Sequence, residues 1–309
     1  MPDNNLPFPI DPDLTAITVA YRNKVYIADQ VLPRVEVGTK VYKYSEYPLK
    51  DGFQTPDTKV GRKGKPNEVE LGSEEKESQT KDYGLDYPIP QHDIDQALKS
   101  GRKDPRDRAV MSLSDYIALD REMRVAAAVQ NAANYDYSEA LVGTDKFSDA
   151  ASKALDTLLY ALDQPLLRPN QVTMSQEVWT VVRTHSQIVK AIHGNSGDEG
   201  VATHEQLARL LEVDRVLVGP SRKDTARKGQ AVNLARIWGP AISLTYIDPL
   251  ADSDGGLTFG FTAEYGSRQS GSEQDKSIGM WGGQRVRVGE SLDEKIIAPA
   301  VGYLITDVL

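Results

Sequence analysis

Residues 50–82, KDGFQTPDTKVGRKGKPNEVELGSEEKESQTKD, are the stretch on which the fold turns. Only Phe53, Val60, Val69 and Leu71 in it are aliphatic or aromatic. Basic residues come first (Lys59, Arg62, Lys63, Lys65) and acidic ones follow (Glu68, Glu70, Glu74, Glu75, Glu77). A segment this polar buries too little apolar surface to offset the entropy of ordering it, so taken alone it is disordered. The other reading is an arm that orders against a neighbouring subunit. Before it, residues 35–47 alternate, with Val35, Val37, Thr39 and Val41 on one side; after its middle, 68–71 alternate again, and both patterns predict strands. Gly52, Gly61, Gly64 and Gly72, with Pro56 and Pro66, supply turns between them. The sum is a long two-stranded hairpin, which is marginal in water unless another surface covers it.

The rest of the chain is globular. With 309 residues, 39% of them hydrophobic, it can bury a core in one large or two smaller domains. It has no apolar run of membrane-spanning length. Its first residues, MPDNNLPFPIDPDL, lack the layout of a secretory signal. The absence of cysteine excludes disulfides and thiolate metal sites and fits a reducing compartment. A net charge of −9 argues against a dedicated nucleic-acid binder, though not against a surface that merely faces nucleic acid.

Residues 1–34 read as an extended arm spaced by Pro2, Pro7, Pro9 and Pro12. The strongest helix signal is Asp104 as N-cap with Pro105 behind it, where the missing N–H costs nothing. Helical pattern runs over 105–133, with Ala109, Leu113, Tyr116, Ile117, Met123 and Ala127 on one stripe. Asp120 and Arg124 intrude on that stripe in the order that favours a helical ion pair, read as a solvated pair at its edge, a pair shared with another subunit, or a functional acid site. Ser148 is placed to cap a second helix, Ser175 a third carrying Val178, Trp179 and Val182, and Thr203 with Gln206 a capping box for a fourth. Strands are expected at 171–174, 215–218, 241–247, 257–264, 286–288, 295–298 and 301–308. Helices and strands alternate in the middle and strands dominate the end, which predicts an α+β or mixed α/β architecture.

No stretch carries the marks of an active site. His204-Glu205-Gln206-Leu207-Ala208 starts like a zinc-protease helix, but Ala208 stands where the second imidazole is needed. Gly61-Arg62-Lys63-Gly64-Lys65 is too short for a phosphate loop, and Pro66 replaces its Ser or Thr. Asp248, Asp252 and Asp254 lack the spacing and terminal Glu of a calcium loop and read as a turn. The four histidines have no metal-like spacing, and Trp179, Trp238 and Trp281 read as core or interface anchors. No catalytic, cofactor or metal residue is named, and the reading is of a protein that is not an enzyme.

The order of parts resembles the major capsid proteins of tailed bacteriophages, whose shell fold is shared with encapsulins and the herpesvirus capsid floor. The residues behind the resemblance are Pro56-Asp57-Thr58-Lys59-Val60-Gly61-Arg62, Tyr83-Gly84-Leu85-Asp86 and Pro88-Ile89-Pro90 for the hairpin and its exit. Leu167-Arg168-Pro169-Asn170, Val178-Trp179 and Ile237-Trp238-Gly239 resemble the axial-domain core, and Ala300-Val301-Gly302-Tyr303-Leu304-Ile305 the closing strand of the peripheral domain. The resemblance implies an α+β capsid fold with residues 1–34 as N-terminal arm and 35–90 as the extended hairpin (E-loop) lying over a neighbour. Residues 91–149 and 284–309 would form the peripheral domain around a spine helix at 105–133, and 150–283 the axial domain. It implies a head shell of hexamers and pentamers enclosing double-stranded DNA without sequence-specific binding, in the virion and, during assembly, in the host cytoplasm. Scaffolding, portal and decoration proteins are the implied partners, with no membrane and no cofactor. Lys59, Arg62, Lys63, Lys65, Glu68, Glu70, Glu74, Glu75, Asp120 and Arg124 are the candidate inter-subunit contacts. An encapsulin-like compartment shell, another phage structural protein, or an enzyme with 50–82 as a lid are the alternatives.

Overall fold

The computed structural model describes residues 9–20, 25–46, 58–62, 64–65, 68, 74–194, 200–227, 229–251 and 256–309. A long helix, α4 (Pro105–Val129), is the element against which the rest is arranged. It follows the short helices α1 (Pro12–Ala20), α2 (Ala28–Val31) and α3 (Gln91–Lys99). Asp104 caps α4 as the sequence predicts, its Oδ1 accepting the Arg106 N–H at 2.9 Å. The helix ends at Val129 rather than Ala133, because Asn131 accepts the Ala133 N–H and starts a separate turn over Ala132–Asn134. At 1.5 Å per residue its 25 residues span about 37 Å.

The buried stripe of α4 is also rotated from its predicted phase. Ala109, Leu113 and Ile117 are buried as expected, and the i+4 row then continues through Arg121, Val125 and Val129. Tyr116 is 61% exposed and Ala127 is exposed too. The row carries a guanidinium where an apolar side chain is the rule, so a pattern search that rejects charges slides off it.

Two five-stranded sheets flank the helix. The first is ordered β1 (Arg34–Val37), β11 (Gly260–Tyr265), β13 (Gly283–Ile296), β12 (Gln269–Asp275), with β4 (Lys81–Pro90) also on β13. β1 runs parallel to β11, while β11, β12 and β4 are antiparallel to β13. The second is ordered β5 (Tyr137–Ala140), β14 (Gly302–Thr306), β10 (Ile242–Thr245), β6 (Gln171–Ser175), β7 (Arg215–Gly219). The strands expected at 286–288 and 295–298 are one strand of 14 residues. The last strand, expected to close the peripheral sheet, instead inserts between β5 and β10. β11 and β12, placed by the sequence reading in the axial segment, belong to the sheet of β13.

Around the second sheet pack α5 (Ala154–Asp163), α6 (Gln176–Val182), α7 (Ser186–His193) and α8 (His204–Leu211). Their core is Leu158, Leu162, Val178, Trp179, Ile188, Leu207 and Leu211 against Val172, Met174, Ile242 and Ile305. Ser175 caps α6 and Thr203 with Gln206 forms the predicted capping box of α8. The second helix begins at Ala154 without a side-chain cap, so Ser148 does not cap it. His204 is exposed and stacks on Trp179 at 4.3 Å between ring centroids.

The amino-terminal segment is not extended throughout. α1 lays Leu14 against Val110, Leu113 and Ile117 of α4, and Thr15 donates its hydroxyl to Ser270 O at 2.9 Å. The hairpin pairs β2 (Val41–Glu46) with β3 (Glu74–Gln79). Of the return strand predicted at 68–71 only Glu68 is among the described residues. The base of the hairpin is covered by the same chain: Tyr42 and Tyr44 are buried with Phe261 and Ala263 of β11, and Asp293 accepts from Tyr42 at 2.8 Å and Ser78 at 2.7 Å.

Trp238 sits flat on Gly219, where an added Cβ would lie 2.1 Å from its ring. Replacing Gly219 with Ala therefore displaces the indole, at a cost of about 1–3 kcal/mol for overpacking a filled core. A fall in the urea midpoint of the unassembled subunit is the expected readout.

Candidate assembly surfaces

Two adjacent charged residues of α4, Arg121 and Glu122, are buried. Glu122 Oε2 accepts the backbone N–H groups of Ile27 at 3.0 Å and Ala28 at 2.8 Å, the open amino end of α2. Its Oε1 accepts Trp238 Nε1–H at 2.7 Å and the Ser221 hydroxyl at 3.2 Å. One carboxylate thus joins the amino-terminal segment, α4, and Ser221 and Trp238 beyond β7. Arg121 donates to Leu32 O at 3.3 Å and Thr262 Oγ1 at 3.1 Å, and pairs with Asp29. Asp29 also pairs with Arg34 at 2.8 Å, and Arg34 reaches Glu264 at 2.8 Å and Glu290 at 3.1 Å. Arg268 completes the group on Glu290 at 3.0 Å.

Burial raises the Asp29 pKa, but the guanidinium groups of Arg121 and Arg34 outweigh it and hold the carboxyl at about 2. Glu290 is lowered in the same way, burial being overcome by Arg268, Arg34 and Arg121. An open recess of about 430 Å³ borders this group beside Val19, Gly266 and Ser267, and its arginines are occupied by its own carboxylates. Neither Arg121 nor Glu122 was among the candidate residues. Their signal was two charges side by side in a helix whose neighbours at i±4 are apolar.

The predicted candidates divide. Asp120 and Arg124 do pair, but Arg124 turns inward to Glu294 at 2.8 Å and lies 3.6 Å from the centroid of Tyr83, tying α4 to β13 and β4 within one chain. Glu75 is exposed and paired to Lys43 across the hairpin at 2.8 Å. Lys59, Arg62, Lys65 and Glu68 are exposed. Lys63 and Glu70 lie outside the described residues, as does the side chain of Glu74. Among the described residues no group of three or more His, Asp or Glu side chains is arranged to hold a metal ion, and no helix is long and apolar enough to cross a membrane. Asp248 caps its own turn by accepting the Leu250 N–H at 2.9 Å; Asp252 and Asp254 lie outside the described residues. Trp179 and Trp238 are buried, while Trp281 is 78% exposed in the turn between β12 and β13.

The chain is 48% identical over 302 residues to the major capsid protein of Pseudomonas phage JBD67, covering 97% of both proteins. It belongs to the phage major capsid proteins. No family model matches the sequence. The fold of this capsid protein is similar to that of a phage-related protein of Bordetella bronchiseptica, with a TM-score of 0.77 at 19% identity over 98% of each chain. The capsid of cyanophage P-SCSP1u is similar at a TM-score of 0.57 and 9% identity, over 93% of this chain and 89% of that one. These structures establish the capsid fold, and the JBD67 relative decides for a phage head protein over a compartment shell.

Two outcomes follow for the charged residues of the capsid protein. Glu122→Ala strands donors that are buried, at about 1–3 kcal/mol for each one left unsatisfied; a loss of about 3 kcal/mol or more in urea unfolding is expected, with Glu122→Gln between the two. Because the Asp29 pKa lies below its ordinary 3.8, its contribution is complete above that value and disappears as pH falls toward 2. Asp29→Asn is then less stable than wild type at neutral pH, and the two stability curves converge near pH 2.

Proposed function

We propose that this capsid protein builds a closed icosahedral head shell around double-stranded DNA by reaching the next subunit with the far end of its β2–β3 hairpin. The observation that carries this reading is the contrast along the hairpin. Its base is pinned to its own body by Tyr42, Tyr44 and Asp293, whereas Lys59, Arg62, Lys65 and Glu68 stand exposed beyond it. Each exposed pair contributes at most about 1 kcal/mol, but closed symmetry repeats it over every copy. Strand edges of the hairpin add backbone hydrogen bonds to a neighbour's sheet.

In this reading the first sheet, with α3 and α4, is the peripheral domain, and the second sheet, with α5–α8, is the axial domain. The boundary at 283/284 then gives way to a division in which β11 and β12 are peripheral and β14 is axial. Hexamers and pentamers are the assembly units. Scaffolding, portal and decoration proteins are the partners, and assembly takes place in the host cytoplasm. The net charge of −9 suits a wall that encloses DNA without holding it, since phosphate binding requires a basic surface.

Replacing residues 50–72 with a short Gly-Ser turn leaves β2 and β3 paired. The expected product is a soluble, folded subunit that forms no closed particles in negative-stain micrographs. Normal shells from that variant would overturn the role given to the hairpin.

A further inference from the structure

Beyond β7 the chain forms a projecting two-stranded ribbon, β8 (Arg222–Asp224) and β9 (Leu234–Arg236), joined by residues 225–233. In a protein of net charge −9, residues 222–236 carry Arg222, Lys223, Arg227, Lys228 and Arg236 against Asp224 alone. Asp224 does not neutralise them: its Oδ1 accepts the Ala226 and Asn233 N–H groups at 2.9 and 3.0 Å and closes the turn. Arg222 stands directly opposite Arg236 in the ribbon register, an arrangement that destabilises a strand pair. Arg236 reaches Glu177 at 3.2 Å, whereas Arg222, Lys223 and Arg227 have no carboxylate partner among the described residues. Val232 and Leu234 beside them are 70% and 55% exposed. A ribbon of three residues per strand with opposed like charges and bare aliphatics is too weak to hold itself and points to a covering surface.

The matching surface is at the other end of the same sheet. β7, from which the ribbon leaves, is one edge and β5 is the opposite edge, paired only to β14. Along β5 and the turn after it, Asp136, Glu139 and Asp145 are exposed, with Tyr137 and Val142 exposed between them. Lys146, the basic residue of this stretch, is directed to Leu309 O at 2.6 Å. Among the described residues the outer backbone edge of β5 pairs with no strand. Four strand spacings separate β5 from β7, about 19 Å, which puts the acidic edge on the far side of the sheet from its own ribbon.

We infer that the β8–β9 ribbon of one subunit seats on the acidic β5 edge of the next, a head-to-tail contact between copies of this chain. Different patches meet in such a contact, so repetition generates a ring and not an isolated pair. Val232 and Leu234 meet Tyr137 and Val142, and the ribbon's arginines face Asp136 and Asp145. DNA phosphates are the competing polyanion, but a phosphate backbone offers nothing to the two exposed aliphatic side chains, and the ribbon has no aromatic residue on which bases would stack. The inference rests on the shell reading and adds to it a second contact, independent of the β2–β3 hairpin.

The absence of cysteine makes the test direct. Particles carrying Val232→Cys and Val142→Cys in one chain are treated with a short bismaleimide and run on a denaturing gel. A ladder of dimers and higher multiples is expected from the double variant, with monomer alone from each single variant. Monomer alone from the double variant overturns the inference; so does a Val232→Cys variant that cross-links by itself, since the ribbons would then meet one another. Separately, Arg222→Glu with Arg227→Glu places an opposite charge across from Arg236, so it is expected not to lower the melting temperature while lowering particle yield at least tenfold, and adding Asp136→Arg with Asp145→Arg is expected to restore the yield. Unchanged yield, or no restoration, counts against the pairing. Wild-type protein, which has no cysteine to cross-link, is prepared in parallel and separates the two claims: closed wild-type particles with no ladder from the double variant defeat only this contact, and no closed wild-type particles defeat the shell reading itself.

Discussion

A charged side chain taken out of water is costly unless its hydrogen-bonding capacity is met, and this chain buries Arg121 and Glu122 in the middle of its longest helix. Both find their partners in segments far apart in sequence: residues 27–32 of the amino-terminal segment, Ser221 and Trp238 beyond β7, and Thr262 of β11, with only the Arg121 Nε–H left without one among the described residues. Each of these segments has to be in place for the helix to be tolerable where it lies, and the helix has to be there for them to find partners. That mutual requirement fixes α2, β11 and the chain around Ser221 and Trp238 to α4. Arg124 extends it one turn further by engaging β13 and Tyr83 of β4.

The consequence for a shell subunit is a division between a body tied by buried charges and an exposed hairpin. Buried or half-buried ion pairs lie inside the body, where removing one partner is expensive. Pairs on the β2–β3 hairpin, such as Lys43–Glu75, are exposed and weak. Weak, screened contacts suit surfaces that must form, shift and re-form as copies settle into a closed lattice, while the body keeps its shape. Tyr42 and Tyr44 mark where one regime passes into the other, since their rings are core while Glu75, Lys76 and Glu77 of the paired strand are exposed.

How much of this could be read from the chain follows from the range of the interactions. Asp104 with Pro105, Ser175, and the Thr203–Gln206 box are signals written within four residues, and each appears where the pattern puts it. The hairpin is legible because polarity, turns and alternation occur together; the strand that pairs with β2 is Glu74–Gln79, and the alternating span 68–71 lies, apart from Glu68, outside the described residues. The stripe of α4 was misread at the one place where charges are buried, because the partners of Arg121 and Glu122 lie about 90 to 140 residues away and no local pattern marks them. The placement of β14 failed for the same reason: pairing with β10 and β5 is decided by sheet edges that only the assembled fold presents. The basic ribbon after β7 was passed over because it matches no motif; only its register, with Arg222 facing Arg236, makes its charge conspicuous.

A reconstruction of the assembled particle, comparing symmetry-distinct copies of the subunit, tests the central claim most directly. If the buried charges of α4 bind one rigid body, residues 25–37, α4 and the first sheet superpose in every copy with Glu122 still on Ile27, Ala28 and Trp238, and the differences fall in the hairpin beyond Tyr44. Copies in which residues 25–33 have left Glu122, or in which the two sheets have moved apart across α4 while the hairpin keeps one shape, would contradict it.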